Sequence, residues 1–171
     1  MSMKILPSAE RVRELLHYDP NTGVFTRLVS RRGINAKVGD VAGSVNAKGY
    51  LRITIDGSDY AGHRIAWLHV HGHAPAGEID HINGQKDDNR IDNLRVVGRS
   101  GNMQNQRRAR AINPSGFLGV HFHAGAKKWR AQIGVDGALH RLGLFATAEE
   151  AHEAYLRAKS SLHPFSTLPL M

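Results

Sequence analysis

The stretch EIDHINGQKDDNRIDNLR, from Glu78 to Arg95, sets Asp80 beside His81 and follows them with Asn83, Asn89 and Asn93. Side chains alternate along an extended segment, so an adjacent carboxylate and imidazole point to opposite faces. One can hold a hard cation while the other handles a proton near neutral pH. EIDH and LRVV read as two short strands bracketing a polar loop, and SGNMQNQRRAR after them reads as a helix capped by Ser100. That order brings Asp80 and His81 near the first turn of the helix, where Asn102 stands. Oxygens from Asp80 and Asn102 make two hard ligands that suit Mg²⁺, with Mn²⁺ or another divalent ion as alternatives, and water and phosphate complete the shell. His81 points toward a water instead. A base for water and a cation for the charge on phosphate and leaving oxygen are what one-metal phosphodiester hydrolysis requires.

The run IDHINGQKDDNRIDNLR, with GNMQNQ after it, closely resembles the HNH endonuclease family, in particular the homing-type enzymes of phages and introns that carry Asp-His at the first position. The resemblance covers about Gly62 to Gln106. It implies a ββα-metal fold in which Asp80 is the first metal ligand, His81 the general base and Asn102 the last letter of the motif. Asn93 fills the middle position, whose side chain pins the loop between the strands. Asn89 and Arg90 read as loop-stabilising residues, with Arg90 able to neutralise Asp87 or Asp88. His63 matches a position that recurs ahead of the motif, where helix packing near the site is the first reading and chemistry the second. His69, His71 and His73 invite a zinc reading, against which their spacing and the absence of cysteine both argue.

Composition narrows the field. The chain of 171 residues has no cysteine, which excludes a disulfide framework, a thiolate zinc site and a cysteine nucleophile. It lacks an apolar run long enough to span a membrane, and the N-terminus lacks an apolar signal core, so the expected location is the cytoplasm of a bacterial or phage-infected cell. The net charge is +8, and its placement says more than its size. Between Asp92 and Asp136 there is no acid, while Arg95, Arg99, Arg107, Arg108, Arg110, Lys127, Lys128 and Arg130 supply eight cations. Such a stripe is the footprint expected for a phosphate backbone, with a solvated basic linker as the alternative. The expected partner is double-stranded DNA, bound by a monomer or, alternatively, a dimer.

The elements that would position these residues are short. Ser8 caps a helix over SAERVRELLHY, and NTGVFTRLV, KGYLRITID and SDYAGHRI alternate as strands and hairpins. HRIAWLHVHG returns to helical spacing, with Ile65, Leu68 and Trp67 inward and Gly72 and Pro75 ending it. INPSG has linker character. Beyond it FLGVHFH, KWRAQIGVD and ALHRLGLF read as three strands, and TAEEAHEAYLRAKSSL as an amphipathic helix with a Thr147–Glu150 capping box and Ala151, Ala154, Tyr155 and Ala158 on its packed face. SGFLGVHFH, KKWRAQI, LGLF and TAEEAHEAYLRA are similar, in that order, to the Apetala-type or ethylene-response-factor DNA-binding domain. That resemblance implies a three-stranded sheet packed on one helix and laid in the major groove, with His121, His123, Lys128, Arg130, Gln132 and Arg141 on the outward face. Trp129 fits either a base or sugar contact or the core.

The expected class is α+β: a ββα-metal nuclease core plus a small three-stranded antiparallel sheet on one helix. The expected organisation is an N-terminal helix and hairpin region over 1–61, a nuclease core with a basic helix over 62–111, a linker over 112–116, a DNA-targeting module over 117–161 and a tail over 162–171. The expected function is that of a metal-dependent homing-type DNA endonuclease. A DNA-binding regulator that retains the nuclease fold without activity is the competing class.

Overall fold

In the computed structural model, which describes residues 5–30, 36–98, 101, 104–106, 109 and 112–166, packing divides the chain into two units, 1–97 and 98–171. The fold is α+β, with small antiparallel sheets throughout. Among the described residues no helix is long and apolar enough to cross a membrane.

The first unit opens with α1, Ala9–Leu15, whose cap is the Ser8 side chain accepting from the Arg11 amide at 3.1 Å. Ala9 and Val12 face inward. The chain then runs straight into β1, Leu16–Tyr18, which pairs antiparallel with β2, Phe25–Arg27. The strand expected over NTGVFTRLV is therefore shorter than its apolar pattern. The Asp19 carboxylate accepts from the Asn21 amide at 2.9 Å and the Thr22 hydroxyl at 2.8 Å, and Gly23 takes a positive φ of 74°, so residues 19–24 make a turn.

A three-stranded sheet follows, of β3, Ser44–Val45, β4, Leu51–Ile55, and β5, Ser58–Ala61. The β4–β5 turn is Asp56-Gly57, both at positive φ (48° and 76°), the requirement of a two-residue hairpin that keeps the strand twist. Arg11 holds the Asp56 carboxylate with two 2.9 Å bonds, which ties α1 to this turn. The strand expected over SDYAGHRI stops at Ala61. Gly62 starts α2, Gly62–His71, because a Cβ there would press into Leu51 at 2.8 Å. Gly72 ends α2 in the left-handed conformation, its amide bonded to the Leu68 carbonyl. Phe25, Val12, Ile53 and Ile65 are fully buried in one apolar cluster with Leu68, Ile79 and Leu94. Each large member contributes about 1.5–3 kcal/mol of transfer free energy. This core backs β6, Glu78–His81, and β7, Leu94–Val97, an antiparallel pair joined by a polar loop.

The second unit carries a sheet of β8, Val120–His123, β9, Lys128–Val135, and β10, Ala138–Phe145, in the order β10-β9-β8. The β9–β10 turn repeats the earlier device, with Asp136 and Gly137 both at positive φ. Helix α3, Ala148–Leu162, begins with a complete capping box between Thr147 and Glu150 and lays Ala148, Ala151 and Tyr155 on the sheet. Gly119 lies directly under the Tyr155 ring, so no side chain fits there. The INPSG segment is tied into this unit: the Asn113 amide donates to the Phe117 carbonyl at 2.8 Å, and the Ser115 hydroxyl reaches the Val120 carbonyl at 2.9 Å.

Candidate active site and nucleic-acid face

The register of β6 and β7 sets Asp80 opposite Arg95 and His81 opposite Leu94. Opposed residues share a face. The Arg95 guanidinium accordingly places two nitrogens on Asp80 Oδ2, at 2.7 and 2.9 Å, and Asp80 is buried. His81 points the other way, into a nest of rings. The His63 ring from α2 meets it edge to face at 5.1 Å between centroids, and the Tyr50 ring lies 6.1 Å from His81 and 5.7 Å from His63. Lys86 stands over the Tyr50 ring at 5.0 Å and donates to the Lys48 carbonyl at 3.1 Å.

The loop between the strands is held from inside. Asn93 accepts from the Asn83 amide at 3.0 Å and donates to the Asp88 carbonyl at 2.8 Å, spanning the loop with one side chain. Arg90 grips the Asp88 carboxylate at 2.6 and 2.8 Å, which holds that carboxyl well below its ordinary range. Asn89 is fully buried, and its amide orientation follows from its partners. Nδ2 donates to the Asp87 carbonyl at 3.0 Å, so Oδ1 is the atom facing His81 Nε2 at 3.4 Å. An oxygen can only accept, so Nε2 carries the ring proton and the lone pair of neutral His81 sits on Nδ1. Burial lowers the His81 pKa, opposed by the bond to Asn89 and by the Asp80 charge. Burial likewise pushes His63 down to about 3, and its buried Nδ1 has no hydrogen-bond partner among the described residues. Both imidazoles are neutral at pH 7.

The hairpin region before Gly62 supports this loop. The Tyr18 hydroxyl donates to the Asn89 carbonyl at 2.7 Å, and the Ile91 amide donates to the Pro20 carbonyl at 3.2 Å. A Cβ on Gly23 would stand 2.6 Å from the backbone of Asn89 and Arg90, so the glycine turn is what lets the two loops touch. Tyr50 and the reach of Asn89 to His81 were not readable from the sequence, since Tyr50 lies 31 residues before His81, just ahead of β4. The DNR tripeptide marked Asn89 only as a turn residue.

Asn102, the second expected ligand, and the expected DNA contacts Arg99, Arg107, Arg108 and Arg110 lie outside the described residues, as does most of the helix expected over 100–110. Arg95, expected on DNA, is the partner of Asp80, because the strand register sets them side by side. The donor chemistry fits a divalent metal at Asp80, a hard carboxylate, with one oxygen shared with Arg95. Of the histidines considered for zinc, His71 and His73 lie 6.1 Å apart between ring centroids. His69 lies against Tyr18, His71 against Trp67, and among the described residues no three His, Asp or Glu side chains form a metal-binding group.

In the second unit, pairing sorts the sheet into two faces. Trp129, Ala131 and Ile133 alternate toward α3, and Phe122 and Phe145 pair with Trp129 on that side. Trp129 is thus a packing residue of the helix side and is turned away from the expected DNA face. His121, His123, Lys128, Arg130, Gln132 and Arg141 share the opposite face, along with Leu139 and Leu144. His123 Nδ1 accepts from the Ala126 amide at 3.1 Å and so caps the following 3₁₀ turn. Arg130 Nε and Gln132 Oε1 are buried without a partner among the described residues.

A family model described as HNH endonuclease matches residues 60–104, the span from the end of β5 through β6, the loop and β7. That domain suggests nuclease activity on DNA. No curated protein and no solved structure matches the chain.

Proposed function

We propose that this chain is a homing-type endonuclease that hydrolyses phosphodiester bonds of double-stranded DNA, with His81 as general base and the C-terminal sheet as its DNA-targeting module. The observation that carries the reading is the His81 imidazole, kept neutral by burial and with its lone pair set on Nδ1 by Asn89, one residue from a buried carboxylate on the opposite face. His81 Nδ1 takes a proton from water as the oxygen forms its bond to phosphorus, and the ester oxygen leaves as the P–O bond breaks. Asp80 and Asn102 would hold a divalent ion, Mg²⁺ by its preference for hard oxygens, which when bound supplies positive charge for the phosphate and leaving oxygen. Arg95 orients the Asp80 carboxylate. Asn93 and the Asp88–Arg90 pair hold the loop that carries Asn89.

The test is cleavage of supercoiled plasmid with and without Mg²⁺. Wild type should relax or linearise it only with the metal, and His81→Ala should slow cleavage by roughly 10²-fold to 10⁴-fold with DNA affinity little changed. Binding without strand scission by wild type would favour the regulator; cleavage undiminished in His81→Ala would remove this site from the chemistry.

A further inference from the structure

Two large apolar side chains stand on the wrong side of the C-terminal sheet for packing. Leu139 pairs with Gly134 and Leu144 pairs with Arg130, which places both on the face away from α3, at 61% and 45% exposure. Leu139 faces outward by simple strand alternation, which also puts Leu142 in the helix-side core. The bulge between Arg141 and Gly143 then shifts the parity by one residue, so that Leu144 faces outward as well. A side chain at Gly134 would meet almost open space, so Leu139 projects without a neighbour on its flank.

The rest of that face is polar and cationic, with Lys128, Arg130, Gln132 and Arg141 and no acid. This charge selects a polyanion as the occupant, and the width of a small sheet suits the major groove of duplex DNA. Base edges there offer donors and acceptors to Arg130, Gln132 and Arg141, and one apolar group, the 5-methyl of thymine. We infer that Leu139 and Leu144 are specificity-determining residues that bury thymine methyl groups, so that the sheet prefers duplexes with thymines beside the bases read by Arg130 and Arg141. The inference rests on the outward face being the DNA contact. It adds to it a means of discrimination that hydrogen bonds alone do not give, because thymine and uracil offer the same donors and acceptors and differ only in the methyl that is buried.

The experiment selects duplexes from a random pool with the full chain, then replaces each thymine in turn by deoxyuridine, which deletes only the methyl. At one or two positions wild-type affinity should fall roughly fourfold, the value of one buried methyl. Leu139→Ala and Leu144→Ala, both exposed and so without consequence for folding, should each bind the thymine duplex more weakly by a similar factor and become indifferent to uracil at one of those positions. Wild-type indifference at every thymine, or full discrimination retained by both variants, overturns the inference. Arg130→Ala separates the two levels. If it weakens duplex binding while methyl deletion has no effect, only the leucine assignment fails; if it changes nothing, the DNA face itself is wrong and the leucine assignment falls with it.

Discussion

Replacing Asn89 by Asp changes one buried atom pair and leaves the size of the side chain alone. Asn89 is 1% exposed and faces His81 Nε2 at 3.4 Å. A carboxylate there attracts the imidazolium by about 4 kcal/mol at an effective dielectric of ~20, worth ~3 units of pKa. Desolvation of the new carboxylate cancels part of that, leaving a rise of about 1–2 units in the His81 pKa. The wild-type pKa lies below the ordinary value near 6.5, so wild-type kcat/KM should be level through neutral pH and fall on the acid side. In Asn89→Asp that acid limb should move up by about 1–2 units, lowering activity on the acid side and restoring it as pH rises. Plasmid nicking with divalent metal across about pH 5.5 to 9 measures both profiles. Loss of the bond to the Asp87 carbonyl costs about 1 kcal/mol but has no pH dependence of its own, so recovery at high pH distinguishes the electrostatic effect from a damaged loop. An acid limb that stays in place in a folded Asn89→Asp protein would refute the assignment of Nε2 to Asn89.

His63 is neutral in the fold with a pKa near 3, against 6.5 when unfolded, so its contribution to stability is complete above 6.5 and is lost as pH falls toward 3, at up to ~1.4 kcal/mol per pH unit. His63→Phe keeps a ring beside His81 and should remove that slope, making denaturant unfolding between pH 7 and about 5 less acid-sensitive by up to ~2 kcal/mol; equal slopes would show that His63 is not the acid-labile group. Gly23→Ala should destabilise the first unit by about 1–3 kcal/mol, since its φ is positive and the Cβ meets Asn89 and Arg90. It should also slow cleavage by the fraction still folded, and a wild-type melting profile would show that the two loops do not bear on each other.

What was legible in the sequence was local. The two strands around the polar loop, the opposite faces of Asp80 and His81, the Thr147–Glu150 box and the Ser8 cap all depend on residues within a few positions of one another. The sequence leaves Trp129 open between a DNA contact and the core, and its shared parity with Ala131 and Ile133 in β9 puts the indole on the packed face. The Tyr18–Asn89 bond spans 71 residues and the Tyr50–His81 contact 31, and no periodicity encodes such pairs. Arg95 illustrates the same limit from closer range. Its charge is visible in the sequence, yet whether it serves DNA or Asp80 depends on a register that two short strands leave open.

Lys159 is buried in the body of α3, with its ammonium 2.6 Å from the Gln106 carbonyl and over the Tyr155 ring, while the Phe165 amide meets the Gln104 side chain. The end of the HNH-like segment is thereby fastened to the far end of the helix that follows the sheet. For anyone wishing to graft the C-terminal unit onto another protein, the seam matters. A joint at residues 112–116 would separate Lys159 from Gln106 and Phe165 from Gln104, and the buried ammonium would be deprived of that carbonyl. A joint between Val97 and Gly98 carries both partnerships across intact.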